Sequence, residues 1–255
     1  MLLGELLARS PAWLAAHDDA ALTAEQALTF DAWVSRRAAG EPVAYIVGSR
    51  EFYGHDFRVT PDVLIPRPET ELLVEQVLTY AAGRSGLRVL DLGTGSGCIA
   101  ITLALELAGA HVVAVDRSSA ALAIARDNAR RLEAAVECRV SDWYGALAPG
   151  ERYDVIVANP PYIAGTDRHL GEGDLRFEPR GALTPEGDGL DALRIIIAGA
   201  PRHLVVGGLL AVEHGYDQAA ACRSLFVAAG YVDVATQRDL AGIERVTSGR
   251  TSPGG

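Results

Sequence analysis

The tetrapeptide Asn159-Pro160-Pro161-Tyr162 holds the residues with the most chemical potential in the chain. Two consecutive prolines stiffen the backbone and remove amide donors, so the Pro160 carbonyl and the Asn159 side-chain oxygen can face one point as acceptors. A planar NH2 group is the natural partner of two such acceptors. An amide nitrogen is a poor nucleophile because its lone pair is delocalised. Accepting both of its N–H bonds favours the pyramidal, electron-richer nitrogen needed to attack a methyl sulfonium. Alignment and electrostatics then supply most of the rate enhancement, and no strong base is required if the proton leaves after attack. Tyr162 can cover the planar group and present a π-face near a cationic sulfur. Asn159, Pro160 and Tyr162 are therefore the catalytic candidates, and Asn159, Pro160, Pro161 and Tyr162 the substrate-binding ones. The bland alternative is a Pro-rich turn without chemistry.

A second group of candidates lies in Asp91-Leu92-Gly93-Thr94-Gly95-Ser96-Gly97. Glycines where a strand turns into a helix let a ligand approach the backbone and expose amides at a helix N-terminus. Three readings compete: a dinucleotide fingerprint, an S-adenosylmethionine loop and a tight turn with no ligand. The pattern GxGxxG counted from Gly93 meets Cys98, and counted from Gly95 it meets Ala100, so the dinucleotide reading fails twice. What stands is GxGxG with Asp91 two positions ahead, an arrangement suited to a methionine ammonium. Asp91, Gly93, Thr94, Gly95 and Gly97 are cofactor candidates on this basis. Asp116, at the end of the next strand, is placed to accept from both ribose hydroxyls. Asp142-Trp143, after the third strand, offers a carboxylate for an adenine amino group and a ring to pack beside the base. A core aromatic at a strand end is the alternative for Trp143, and a small packing residue is the reading of Cys98.

These residues need a scaffold that brings strand ends together. The first 40 residues read as short helices with start signals at Ser10-Pro11 and Thr23-Ala24-Glu25-Gln26. Gly40 and Pro42 break that pattern, and β-prone residues from Ala44 to Val59, with a turn at Gly54-His55-Asp56, predict a hairpin connector over 41–66. From Thr70 helices and strands alternate. Strands are expected at 87–92, 111–115, 135–140, 153–158, 209–213, 231–237 and 244–247. Helices are expected near 70–82, 98–108, 119–132, 190–203 and 217–229. The last two strands are too close for a crossover helix. The fold class is α/β: a doubly wound, mostly parallel seven-stranded sheet, Rossmann-like, with an antiparallel strand near its edge and a small N-terminal helical domain. Ligands in such sheets sit past the carboxyl ends of the strands. Residues 67–255 would form this domain, ending in a frayed Ser252-Pro253-Gly254-Gly255 tail.

Composition excludes several chemistries. All 23 basic residues are arginine, which removes Schiff-base lysines, a Walker-A lysine and a lysine general base. A net charge of −10 argues against broad affinity for nucleic acid, which requires a basic footprint. Three scattered cysteines fit a reducing, cytoplasmic setting, and six histidines without HxH or HxxxH spacing give no metal site. His214 reads as a satisfied histidine at a strand end. No apolar stretch approaches a membrane span and no secretory segment opens the chain.

At these residues the sequence resembles the class I S-adenosylmethionine-dependent methyltransferases, and within them the HemK/PrmC family of protein-(glutamine) N-methyltransferases. The resemblance rests on Gly48 to Gly54, Ile65-Pro66-Arg67-Pro68-Glu69-Thr70-Glu71, Asp91 to Gly97, Asn159 to Ile163, Arg176-Phe177-Glu178-Pro179 and Glu213-His214-Gly215. It implies S-adenosyl-L-methionine as cofactor, contacted by Gly93 to Gly97, Asp116, Trp143 and Asn159. It also implies that Asn159 to Tyr162 hold the glutamine of the Gly-Gly-Gln motif of peptide chain release factors, and that residues 1–40 and the hairpin dock that protein. The resemblance further implies that the chain begins within the helical domain usual for the family, roughly one or two helices short. For Glu178 the resemblance suggests substrate contact, with loop bracing as the ordinary alternative. Competing functions are an amino methyltransferase for adenine in DNA or RNA, a methyltransferase for a ribosomal-protein glutamine, and a cofactor-binding module without catalysis.

Overall fold

A computed structural model describes residues 1–252; Pro253, Gly254 and Gly255 of the tail lie outside the described residues. The N-terminal region contains α1 (Leu2–Leu7), α2 (Pro11–Ala16), α3 (Ala24–Ala38) and α4 (Val43–Val47). Local signals set their starts. Ser10 accepts from the Trp13 amide with Pro11 at the first helical position, and Thr23 and Gln26 form a reciprocal capping box. Helix α4 falls where β structure was expected. The Arg36 guanidinium, paired with Glu41, also donates to the Tyr45 and Ile46 carbonyls and ties this apolar turn to the end of α3. Gly48, with φ +86°, then terminates it.

The hairpin is shorter than the sequence suggests: β1 (Ser49–Phe52) and β2 (His55–Arg58). Phe52 pairs with His55, so the turn is Tyr53-Gly54, one residue earlier than expected. Both have positive φ, 52° and 77°, as a twist-matched two-residue turn requires, and Glu71 and Glu51 accept their amides. Phe52 and Phe57, in edge-on contact, are buried against the larger domain.

The chain then alternates through α5 (Glu71–Ala81), β3 (Arg88–Leu92), α6 (Cys98–Glu106), β4 (His111–Asp116), α7 (Ser119–Arg131), β5 (Val136–Val140) and β6 (Tyr153–Ala158). A long loop containing α8 (Arg180–Leu183) leads to α9 (Asp191–Gly199), β7 (Leu204–Glu213), α10 (Ala219–Ala228), β8 (Tyr231–Arg238) and β9 (Glu244–Thr251). The seven strands are ordered β5-β4-β3-β6-β7-β9-β8, all parallel in the first five, with β9 inserted antiparallel between β7 and β8. The doubly wound, mostly parallel sheet is thus the one the alternation predicts. One face packs on α5, α6 and the hairpin and the other on α9 and α10, which buries the sheet on both sides. Expected helix 190–203 stops at Gly199 because Pro201 diverts the chain into a 3-10 turn.

Strand order reverses between β3 and β6, and register aligns the ends there. Leu92 pairs with both Val115 and Ala158, and Ala158 with Val212. Gly93, Asp116, Asn159 and Glu213 each follow one member of that row. Four residues distant in sequence are therefore neighbours at the carboxyl edge of the sheet, where such folds bind ligands.

Candidate active site

A cavity of about 430 Å³ opens at this edge, a size suited to a small organic ligand. Of the predicted site residues, Gly93, Thr94, Gly95, Asp116, Asp142, Trp143, Asn159 and Pro161 line it. Asp91, Gly97, Pro160 and Tyr162 do not.

The glycine loop is held from below and from the side. Gly93 and Thr94 donate their amides to the Val115 carbonyl, and the Gly95 amide donates to Asp116 Oδ2 at 3.0 Å. Gly95 has φ +56°, and no protein atom lies within 4 Å of where a Cβ would stand, so the loop leaves open space on that side. Gly97 serves packing instead. At φ +85° it starts α6, and a Cβ there would lie 2.8 Å from Ile101 and 3.2 Å from Ala125. Gly97→Ala should lower unfolding free energy by about 2–4 kcal/mol through left-handed strain and overpacking, measurable by denaturant titration.

Asp91 lies fully buried beneath the loop. Its Oδ2 accepts from the Thr94 hydroxyl at 2.6 Å, while Oδ1 has no hydrogen-bond partner among the described residues. Burial pushes its pKa up to about 7 against the pull of Thr94. The folded state therefore holds a proton that the unfolded chain releases near pH 4, so this residue's contribution to stability declines as pH rises from about 4 to 7. Asp91→Asn removes that titration, and its unfolding free energy should vary less than the parent's across this window.

Asp116 accepts one amide on each carboxylate oxygen, Gly95 on Oδ2 and Ser118 on Oδ1 at 2.8 Å, and retains lone pairs for a ligand in the cavity. Trp143 has φ +49° and sets its ring against the Gly93 Cα, while also packing on the core cluster beneath α9. The core packing expected as the alternative is thus present, and the ring also borders the cavity.

The Asn159 side chain donates from Nδ2 to Thr70 Oγ1 at 3.1 Å. The Thr70 hydroxyl donates to Glu213 Oε2 at 2.7 Å, and the Tyr162 hydroxyl donates to Glu213 Oε1 at 3.1 Å. Asn159 Oδ1 accepts nothing from the protein among the described residues. Burial raises the pKa of Glu213, opposed by the two hydroxyls and by the charge of Arg245. The Tyr162 carbonyl is also fixed, accepting from Gln218 Nε2 at 2.9 Å. Tyr162 is thus tied down at both ends. The sequence reading missed Thr70 and Glu213 as members of this site, although both stand in the motifs it singled out.

The family model described as Methyltransferase small domain matches residues 68–188, and that described as PrmC N-terminal domain matches residues 1–48. The release factor glutamine methyltransferase of Bordetella pertussis is 56% identical over 98% of this chain and 92% of its own length. The chain belongs to the release factor glutamine methyltransferase family. The Burkholderia pseudomallei relative of the same name is 55% identical, with 98% and 90% of the two chains covered. Among solved structures, the 16S rRNA N2 G1207 methyltransferase of T. thermophilus, in complex with AdoMet and guanosine, shares the fold at TM-score 0.58 and 22% identity, over 80% of this chain and 49% of that one.

Within this family member, the long loop after β6 closes one side of the cavity. Glu178 is buried, accepts the Ile65 amide at 3.0 Å on Oε2 and pairs with Arg67 through Oε1. It braces the Ile65-to-Pro68 segment, the ordinary role considered for it. His214 is likewise satisfied: Nδ1 donates to the Gly215 carbonyl and Nε2 accepts from Thr247, while burial lowers its pKa. Among the described residues no helix is long and apolar enough to cross a membrane.

The cavity also fits S-adenosylmethionine in its chemistry. Asp116 and Asp142 supply acceptors for hydroxyl and amino groups, the Trp143 ring an adenine-sized face, and the open side of Gly95 a place for backbone approach.

Proposed function

We propose that this chain transfers a methyl group from S-adenosyl-L-methionine to the side-chain amide nitrogen of the glutamine in the Gly-Gly-Gln motif of peptide chain release factors. The observation that carries this reading is the hydrogen bonding of Asn159, a residue that lines the cavity. Its NH2 end is engaged by Thr70, which leaves its oxygen as the atom without a protein partner among the described residues, available to accept from a substrate NH2. Relatives named for this activity cover nearly the whole chain.

Asp116 and Asp142 would hold the nucleoside end of the cofactor, with Trp143 beside its base and the Gly93-to-Gly95 loop available to its amino-acid portion. The cofactor supplies an electrophilic methyl on a sulfonium. Asn159 Oδ1 accepts an N–H bond of the glutamine amide and so orients its nitrogen for transfer. Transfer would form a C–N bond as the C–S bond breaks, with that electron pair left on sulfur and one amide proton released to solvent. Asp91 acts from beneath the loop, where it fixes Thr94. Residues 1–40 and the connector over 41–66, which carries α4 and the shorter hairpin, dock the release factor beside the catalytic domain over 67–255. The reaction belongs in the cytoplasm, which suits three free cysteines.

The test is transfer of radiolabelled methyl to a purified release factor, its Gln→Ala variant, ribosomes and bulk DNA and RNA. Label on the intact factor alone is the expected result. Label on nucleic acid or ribosomes instead would overturn the substrate assignment while keeping the cofactor site.

A further inference from the structure

Thr70 ends the 3-10 turn Pro68–Thr70 and leads into α5 with helical backbone angles, and its hydroxyl caps no amide. The hydroxyl bridges Glu213 and Asn159, and both Thr70 and Glu213 are almost wholly buried, 2% and 1% exposed. A hydroxyl buried between a carboxylate and an active-site amide requires a reason beyond packing.

The direction of each bond supplies one. In its ionised form Glu213 has only acceptors, so the Thr70 and Tyr162 hydroxyls must then both donate to it. A hydroxyl carries a single proton. With that proton committed to Glu213, Thr70 can only accept from Asn159, which must then turn its NH2 inward and its oxygen toward the cavity. The reverse orientation would set two NH2 groups against each other once a glutamine amide arrived. We propose that Glu213, acting through the Thr70 hydroxyl, dictates which way round the Asn159 amide sits and so is a positioning residue for methyl transfer. This rests on the reading of Asn159 Oδ1 as the acceptor for the substrate amide.

Glu213→Gln preserves shape but introduces a donor. Its NH2 can donate to Thr70, which frees the hydroxyl proton for Asn159 Oδ1 and lets the amide invert. Thr70→Val cuts the relay while keeping volume, and Thr70→Ser keeps the relay while losing a methyl. Glu213→Gln and Thr70→Val should each lower kcat about 100-fold, with cofactor Kd and release-factor KM within about threefold of the parent. Thr70→Ser should stay within about threefold in kcat. The double variant Thr70→Val with Glu213→Gln should be no worse than either single one, because the two changes break one chain.

Nuclear Overhauser contacts give a readout independent of turnover. The Asn159 side-chain NH2 protons should contact Thr70 in the parent protein and lose that contact in Glu213→Gln, with the melting temperature monitored to show that the variant is folded. Parental kcat in Glu213→Gln, or an unchanged Asn159–Thr70 contact in that variant, would overturn the proposal. If the parent protein methylates no release factor, the functional reading fails, and the contact comparison decides the relay by itself.

Discussion

Asn159→Ala is expected to lower kcat by about 10²–10³-fold while leaving cofactor affinity within a few-fold. The asymmetry follows from what the side chain touches. Asn159 follows β6 at the cavity, its Nδ2 donating to Thr70 and its Oδ1 without a partner among the described residues, so on the proposed reading the free atom is the one offered to the reacting amide. In the ground state that contact is one neutral hydrogen bond among several. As the nitrogen becomes pyramidal and gains positive charge, its N–H bonds become stronger donors, and the acceptor stabilises the transition state more than the bound substrate. Truncation therefore falls mainly on kcat. Single-turnover transfer to a release factor measures the chemical step, and calorimetry with S-adenosylhomocysteine measures the cofactor site. Nearly unchanged turnover would eliminate the acceptor mechanism.

That prediction could be framed from sequence because the strand-end logic was legible. Apolar runs at 88–92, 111–116 and 153–158 sit one step before Gly93, near Asp116 and before Asn159, and parallel pairing aligns whatever follows such strands. The Thr23 capping box was equally local and equally legible. What could not be read was partnership across distance. Thr70 and Glu213 are 143 positions apart, and their hydroxyl–carboxylate bond depends on α5 starting beside the end of β7. Glu178 meets Ile65 across 113 positions for the same reason. The error at α4 had another origin: Val43-Ala44-Tyr45-Ile46-Val47 has β-prone composition, but the carbonyls of its last turn are bound by Arg36, a tertiary contact that outweighs propensity. Tyr162 shows how type and position can be legible while contact is not. Its place beside Asn159 was evident, but its hydroxyl's attachment to Glu213 depends on the register between β6 and β7.

Asp116→Ala should weaken cofactor binding by about 10–100-fold, the loss expected for hydrogen bonds to a charged acceptor. Two effects contribute, and they can be separated. The carboxylate holds the Gly95 and Ser118 amides, so its removal loosens the loop that borders the cavity. On the proposed reading it would also present its remaining lone pairs to the ligand, where both ribose hydroxyls can donate. Loop loosening alone would weaken every ligand of the cavity alike. Loss of a direct contact would instead make the variant indifferent to those hydroxyls, so a deoxyribose analogue of S-adenosylhomocysteine should bind Asp116→Ala nearly as well as the parent ligand does. In the unmodified protein the same analogue should bind much more weakly. The coupling between the two changes, obtained by calorimetry on all four combinations, isolates the carboxylate–ribose contact from the loop it supports. Additive losses would assign Asp116 to the loop alone, and unaltered affinity in the variant would remove it from the cofactor site.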